Sequence, residues 1–145
     1  MRPFWTANNA LAYDHLSDRL ARLGRGKEAL PLAKKAIRLN PVAPWWYFAH
    51  LGHAHWVIGQ YEEPLAAYKE TKHRSPNLHA IRVWLAETYS LLGREEEARA
   101  EATEVLRLKP DFSVDGYMKR FFGSRIKDQA YPERVANALH KAGLK

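Results

Sequence analysis

The 145-residue chain contains no cysteine, which excludes a disulfide framework, a thiolate zinc site and a cysteine nucleophile. Long apolar runs are missing too, and no stretch approaches the roughly 18 consecutive apolar residues of a membrane span. The opening Met1-Arg2-Pro3-Phe4-Trp5-Thr6 holds no aliphatic run, so a secretory signal is not expected and the chain reads as cytoplasmic. A piece cut from a longer protein would read the same way. Also absent are a glycine-rich phosphate loop, a serine elbow and a metalloprotease histidine-glutamate motif, so neither catalysis nor a cofactor is expected. The one dense carboxylate run, Glu95-Glu96-Glu97, suits an exposed helix start, where acids face the positive end of the dipole.

What is present is the composition of a compact soluble domain, 46% hydrophobic and 27% charged, with a net charge of +7. The basic excess by itself favours an acidic partner such as nucleic acid, anionic lipid or an acidic peptide. Its distribution weakens that inference. Residues 1–112 hold 16 basic and 13 acidic side chains, whereas residues 113–145 hold seven and three. The basic character therefore belongs to the tail.

Three in-phase series reveal a repeat. Gly24, Gly59 and Gly93 lie 35 and 34 residues apart, each between an apolar run and a charged one. Pro41, Pro76 and Pro110 each follow one of these glycines by 17 residues, and Leu16, Leu51 and Leu85 each precede one by eight. Glycine permits the left-handed backbone that ends a first helix, and proline cannot extend the second. The pattern resembles the tetratricopeptide repeat, whose unit is two antiparallel helices. Its repeats fall at 10–43, 45–78 and 79–112, after a lead-in at 1–9, with Pro44 as one inserted residue. Small residues are expected where helices cross closely: Ser17, Gly52 and Ala86; Ala29, Pro64 and Ala98; Ala36, Thr71 and Val105. Pro64 falls in a first helical turn, while Pro31 lies just past one and should bend its helix.

Beyond Phe112 the repeat stops. Ser113 is an N-cap candidate for a helix to about Phe122, and Pro132 a first-turn proline for a last helix to about Ala142, closed by Gly143. In that helix Val135, Leu139 and Ala142 share a face, as a cap over the last repeat requires. The fold expected is all-α: a right-handed superhelical stack of three repeats closed by a basic capping helix pair at 113–145. Four stretches carry a closer resemblance: Pro44-Trp45-Trp46-Tyr47, Gly59-Gln60-Tyr61-Glu62-Glu63-Pro64-Leu65, Leu106 through Val114, and Glu133 through Leu144. They are similar to the carboxy-terminal repeat region of bacterial proteins that join a class III adenylate or guanylate cyclase domain, or a DNA-binding regulator domain, to tetratricopeptide repeats. That resemblance implies an interaction module of a signalling protein and carries no cyclase activity, because the metal-binding carboxylates of the catalytic domain have no match here.

First helices of such repeats line a concave groove where protein or peptide partners lie. By phase, the groove candidates are Asp14, Asp18 and Arg22, then Trp46, His50, His53 and Trp56, then Val83, Trp84 and Glu87. Aromatic side chains at such positions bury apolar area at low entropic cost, although Trp46 and Trp56 also suit packing between repeats. A clamp of the kind that grips acidic chaperone tails needs lysine, asparagine and arginine where this chain has Asp14, Asp18, His50, Ala80 and Trp84, so that partner class is not expected. His50, His53 and His55 converge poorly and lack a supporting carboxylate at a helical interval within their segment, so no metal site is expected. In that reading His55 packs inward and the other two face the groove. The basic run Lys69, Lys72, His73 and Arg74, and the tail residues Lys119, Arg120, Arg125 and Lys127, read as solvated helix ends or as contacts for an acidic partner. Nucleic acid is a minor alternative, since the tryptophans fall on repeat positions and not among the basic residues. The function expected is a non-catalytic scaffold. The alternatives are a regulatory module of a cyclase or transcription regulator, and a homo-oligomer assembled through exposed repeat ends.

Overall fold

The computed structural model describes residues 4–123 and 130–145, with side chains from Asn9 onward. Among these residues every regular element is helical: α1 Phe4–Arg22, α2 Gly26–Leu39, α3 Trp45–Val57, α4 Glu62–Arg74, α5 His79–Leu91, α6 Glu95–Leu108, α7 Val114–Phe122 and α8 Ala130–Lys141. The helices pair as the spacing predicts, and the three glycines after α1, α3 and α5 have φ of +81°, +82° and +74°. Each glycine completes the same cap. Gly24 N–H donates to Ala21 O and Arg25 N–H to Leu20 O; the matching bonds are Gly59 to Trp56 with Gln60 to His55, and Gly93 to Ser90 with Arg94 to Tyr89. These pairs satisfy carbonyls that a helix end would otherwise orphan. Gly143 closes α8 in the same way, at φ +105°.

The chain divides into two compact units, Met1–Thr71 and Lys72–Lys145, with the boundary inside α4 and so within the second repeat. In the first unit α1 begins at Phe4, running through much of the stretch assigned as lead-in. Its core is built from small residues that let backbones approach: Ala10, Ala36 and Ala43 around Tyr47, and Ala21, Ala29 and Ala54 flanked by Leu20, Leu30 and Val57. The buried Ser17 hydroxyl donates to Ala29 O at 3.0 Å, joining α1 to α2. Helix α2 continues through Pro31. All nine residues expected at close crossings, in both units, are buried.

The second unit centres on α5, in which Ile81, Val83, Leu85, Ala86 and Thr88 are fully buried. It packs against α6 and α8, and α8 in turn against α7. Glu101 of α6 accepts from Lys72 Nζ at 2.9 Å and from Arg82 at 3.1 Å, so Lys72 of the basic run has a structural partner. The Ser113 hydroxyl caps α7 by accepting from Gly116 N–H at 3.0 Å. Rings of Phe112, Tyr117, Phe121, Phe122 and Tyr131 follow one another with centroids 4.9–5.9 Å apart, tying α7 to the start of α8. Arg125 and Lys127 lie outside the described residues.

Candidate partner-binding surface

In the first unit the spacing of α1 and α3 brings four titratable side chains together. Asp14 and Asp18 lie one turn apart on α1, and His50 and His53 one turn apart on α3. His50 Nδ1–H donates to both oxygens of the fully buried Asp14, at 2.9 and 3.0 Å. Its Nε2 lies 3.6 Å from Asp18 Oδ1, and His53 Nδ1 lies 3.8 Å from the same oxygen, both longer than a hydrogen bond. Arg22 donates to the other Asp18 oxygen at 3.1 Å.

Burial opposes ionisation of Asp18. The neighbouring His53, His50 and Arg22 more than offset it, holding the carboxyl far below the usual carboxylate range. Burial also dominates at His53, where it outweighs Asp18 and pushes the imidazole below its ordinary value. At neutral pH the pair is therefore an ionised Asp18 beside a neutral His53. The His53 ring packs 5.7 Å from that of Tyr68 on α4.

Trp46 is 37% exposed and meets the Trp45 ring edge-on at 5.7 Å. It shares a face of α3 with His50, one turn on. A cleft of about 490 Å³ opens along α1, lined by Ala12, His15, Leu16, Asp18 and Arg19. The solvent-accessible edge of the first unit is thus Trp46, half-buried His50, Asp18 and Arg22, resting on buried Asp14.

Other expected groove residues belong to the interior. Trp56, 1% exposed, packs edge-on against Tyr61 at 5.5 Å, and Val83 of the second unit is fully buried; both are core residues, a correction to their assignment by repeat phase. His53 is the inward-facing histidine of its segment and His55 the outer one, with Nδ1 2.7 Å from Gln60 Oε1; the expected roles are reversed. The His53 ring is covered by fully buried Tyr68 of α4, which keeps that face of α3 in the interior. In the second unit Trp84 and Glu87 are buried as well, at 8% and 5% exposed. Glu87 Oε2 has no hydrogen-bond partner among the described residues, and burial raises its pKa well above the ordinary glutamate value. Among the described residues no group of three His, Asp or Glu side chains is arranged to hold a metal ion.

Sequence reasoning did not single out Tyr68, which packs beneath His53, or Tyr61, which packs on Trp56. A signal existed for Tyr68: it stands where the other repeats have Ala33 and Ala102, and its partner position holds Gly52 in place of Ser17 and Ala86.

Residues 79–112 match a tetratricopeptide-repeat family model. The match covers α5, α6 and the proline turn after them, which is the repeat of most regular pattern. No curated protein matches the chain. Among solved structures it resembles PcrH, crystallised in complex with the chaperone binding region of PopB, with a TM-score of 0.64 and 17% identity over 92% of this chain and 94% of that one. Two crystal structures of MamA are similar, with TM-scores of 0.66 and 0.65 at 18% and 17% identity, over 93% of this chain and 77% and 72% of theirs. At such identities the likeness establishes the fold, an all-α array of tetratricopeptide-type helix pairs with helices closing its carboxy-terminal end. No described helix is long and apolar enough to cross a membrane.

Proposed function

We propose that the protein is a non-catalytic scaffold that binds a protein or peptide partner through the first helices of its repeats. The observation that carries this reading is the α1–α3 surface, where the exposed Trp46 adjoins an imidazole fixed between two carboxylates. Trp46 offers apolar area, and His50, Asp18 and Arg22 offer polar groups already held in place, which lowers the ordering cost of an interface. The PcrH structure, which holds a segment of another protein, supports such use of the same fold. Trp84 and Glu87, buried here, would contribute only on rearrangement of their surroundings. The resemblance of the four stretches from Pro44 to Leu144 to cyclase-associated repeat regions supports placing the scaffold within a signalling protein.

Affinity capture from the native organism, followed by mass spectrometry, would supply the partner. Replacing Trp46 and His50 by alanine should then weaken binding by roughly 30-fold or more, the scale of a central aromatic anchor, with helicity retained. Capture of the same partner at unchanged affinity by the double variant would sink the α1–α3 surface.

A second reading, self-association through α1 and the turn after it, is favoured by Leu11, Leu16 and Leu23, exposed at 38%, 47% and 44%. Leu16 stands at the repeat position that is fully buried at Leu85. Sedimentation across a concentration series tests it, and a strictly monomeric result removes it.

A further inference from the structure

Within the second unit, a cleft of about 430 Å³ separates the end of α5 from α8. Ser90 lines its α5 wall, is 5% exposed, and its hydroxyl has no hydrogen-bond partner among the described residues. A hydroxyl taken out of water with nothing to bond is a loss that a ligand can reverse. Across from it, α8 presents Arg134, Asn137 and Lys141. Their spacing of three and four residues sets them in one row about 10 Å long. This row borders the apolar stripe of Val135, Leu139 and Ala142 that fixes α8 in the unit. The Arg134 guanidinium is positioned over the Tyr131 ring, 5.7 Å from its centroid.

We infer that this cleft is a binding site for a small oxyanion, a carboxylate or a phosphate group. Ser90, Arg134, Asn137 and Lys141 all carry hydrogen-bond donors, and guanidinium and ammonium groups make the strongest such bonds to anionic oxygens. Among the described lining residues Glu133 is the only acidic one, against two cations. A balance of +1 among the described lining residues suits one compact anion and not a polyanion such as nucleic acid. Glu87, one turn before Ser90 on α5, does not reverse the sign, because its buried carboxyl stays protonated well above the usual range. The site shares no residue with the α1–α3 surface, and its test requires no knowledge of the partner.

The test is an NMR titration of the intact chain with inorganic phosphate and, in parallel, sodium acetate, each at constant ionic strength against sodium chloride. Saturable shifts confined to the amides and side chains of Ser90, Asn137, Arg134 and Lys141 are expected, with a dissociation constant on the order of 1–10 mM. Arg134→Gln and Lys141→Gln should each weaken binding roughly fivefold, the loss of one charge-assisted bond, while Lys119→Gln on α7 should not. Tighter binding of phosphate or of acetate assigns the class of oxyanion. Chloride producing the same shifts, non-saturating shifts, or unaltered binding in Lys141→Gln, an exposed position where folding is not at stake, would overturn the inference.

Discussion

The ring of Tyr68 occupies the space that a side chain on Gly52 would need: a Cβ built there would lie 2.6 Å from the ring. Tyr68 is fully buried and Gly52 lies in α3, so neither can withdraw without opening the α3–α4 crossing. Gly52→Ala should therefore destabilise the protein by about 1–3 kcal/mol, as overpacking does. Urea unfolding would show a lower midpoint at unchanged slope. Combined with a smaller residue at Tyr68, the two losses should be less than additive, because each relieves the other's misfit.

Glu101 accepts from two cations, and only 9% of its side chain is exposed. Glu101→Gln keeps the shape but leaves Lys72 and Arg82 facing a neutral group. A loss of about 1–3 kcal/mol is expected, below the range for fully buried pairs because Lys72 is 32% exposed. Thermal unfolding at low salt would measure it. The parent's lead over the variant should shrink as salt is added.

Glu87 and His53 impose opposite pH dependences. The folded-state pKa of Glu87 lies well above the ordinary 4.5, so between the two values the folded state holds more protons and stability falls as pH rises. Glu87→Gln should match the parent below pH 4.5 and exceed its stability at pH 8.

For His53 the folded-state pKa lies below the ordinary 6.5, and the unfolded state holds the extra proton between them. Stability should therefore fall as pH drops below 6.5. Asp18, whose folded-state pKa lies below its ordinary 3.8, adds a further loss in more acidic solution. Urea midpoints from pH 7.5 to 5 should decline less steeply in His53→Asn than in the parent.

At the start of α7, Ser113→Ala removes a cap bond and should cost about 1 kcal/mol. Hydrogen exchange of the Gly116 amide, the donor to that hydroxyl, should accelerate more than exchange in α6.

The backbone framework was legible because it rests on residues with few conformational choices. Gly24, Gly59 and Gly93 needed φ near +80°, Ser113 needed only its hydroxyl, and the small residues at helix crossings had no room to be otherwise. Side-chain direction on α3 was harder to read, since this helix is apolar or aromatic nearly all round and its phase does not separate core from surface. Repeat position alone therefore sent Trp56 to the groove and His55 to the interior, and on α5, where nine of thirteen residues are buried, it likewise sent Val83 to the groove. Around His53 the packing rests on an exchange of volume between helices: the second repeat holds glycine on its first helix and tyrosine on its second, where the third holds Ala86 and Ala102. Compensation of that kind shows in a sequence only when both positions are compared across the repeats together. The donor row on α8 was hidden for a different reason, because its meaning depends on Ser90, more than forty residues earlier in the chain.

The contrast between Trp46, open to water, and Trp56 and Trp84, shielded from it, gives the molecule an optical asymmetry. Emission from the shielded indoles should hold steady while that of Trp46 and the adjoining Trp45 shifts to the blue as their surroundings dry. Occupancy of the α1–α3 surface can thus be followed in real time without a label, and a quencher dissolved in water will distinguish an occupied surface from a bare one.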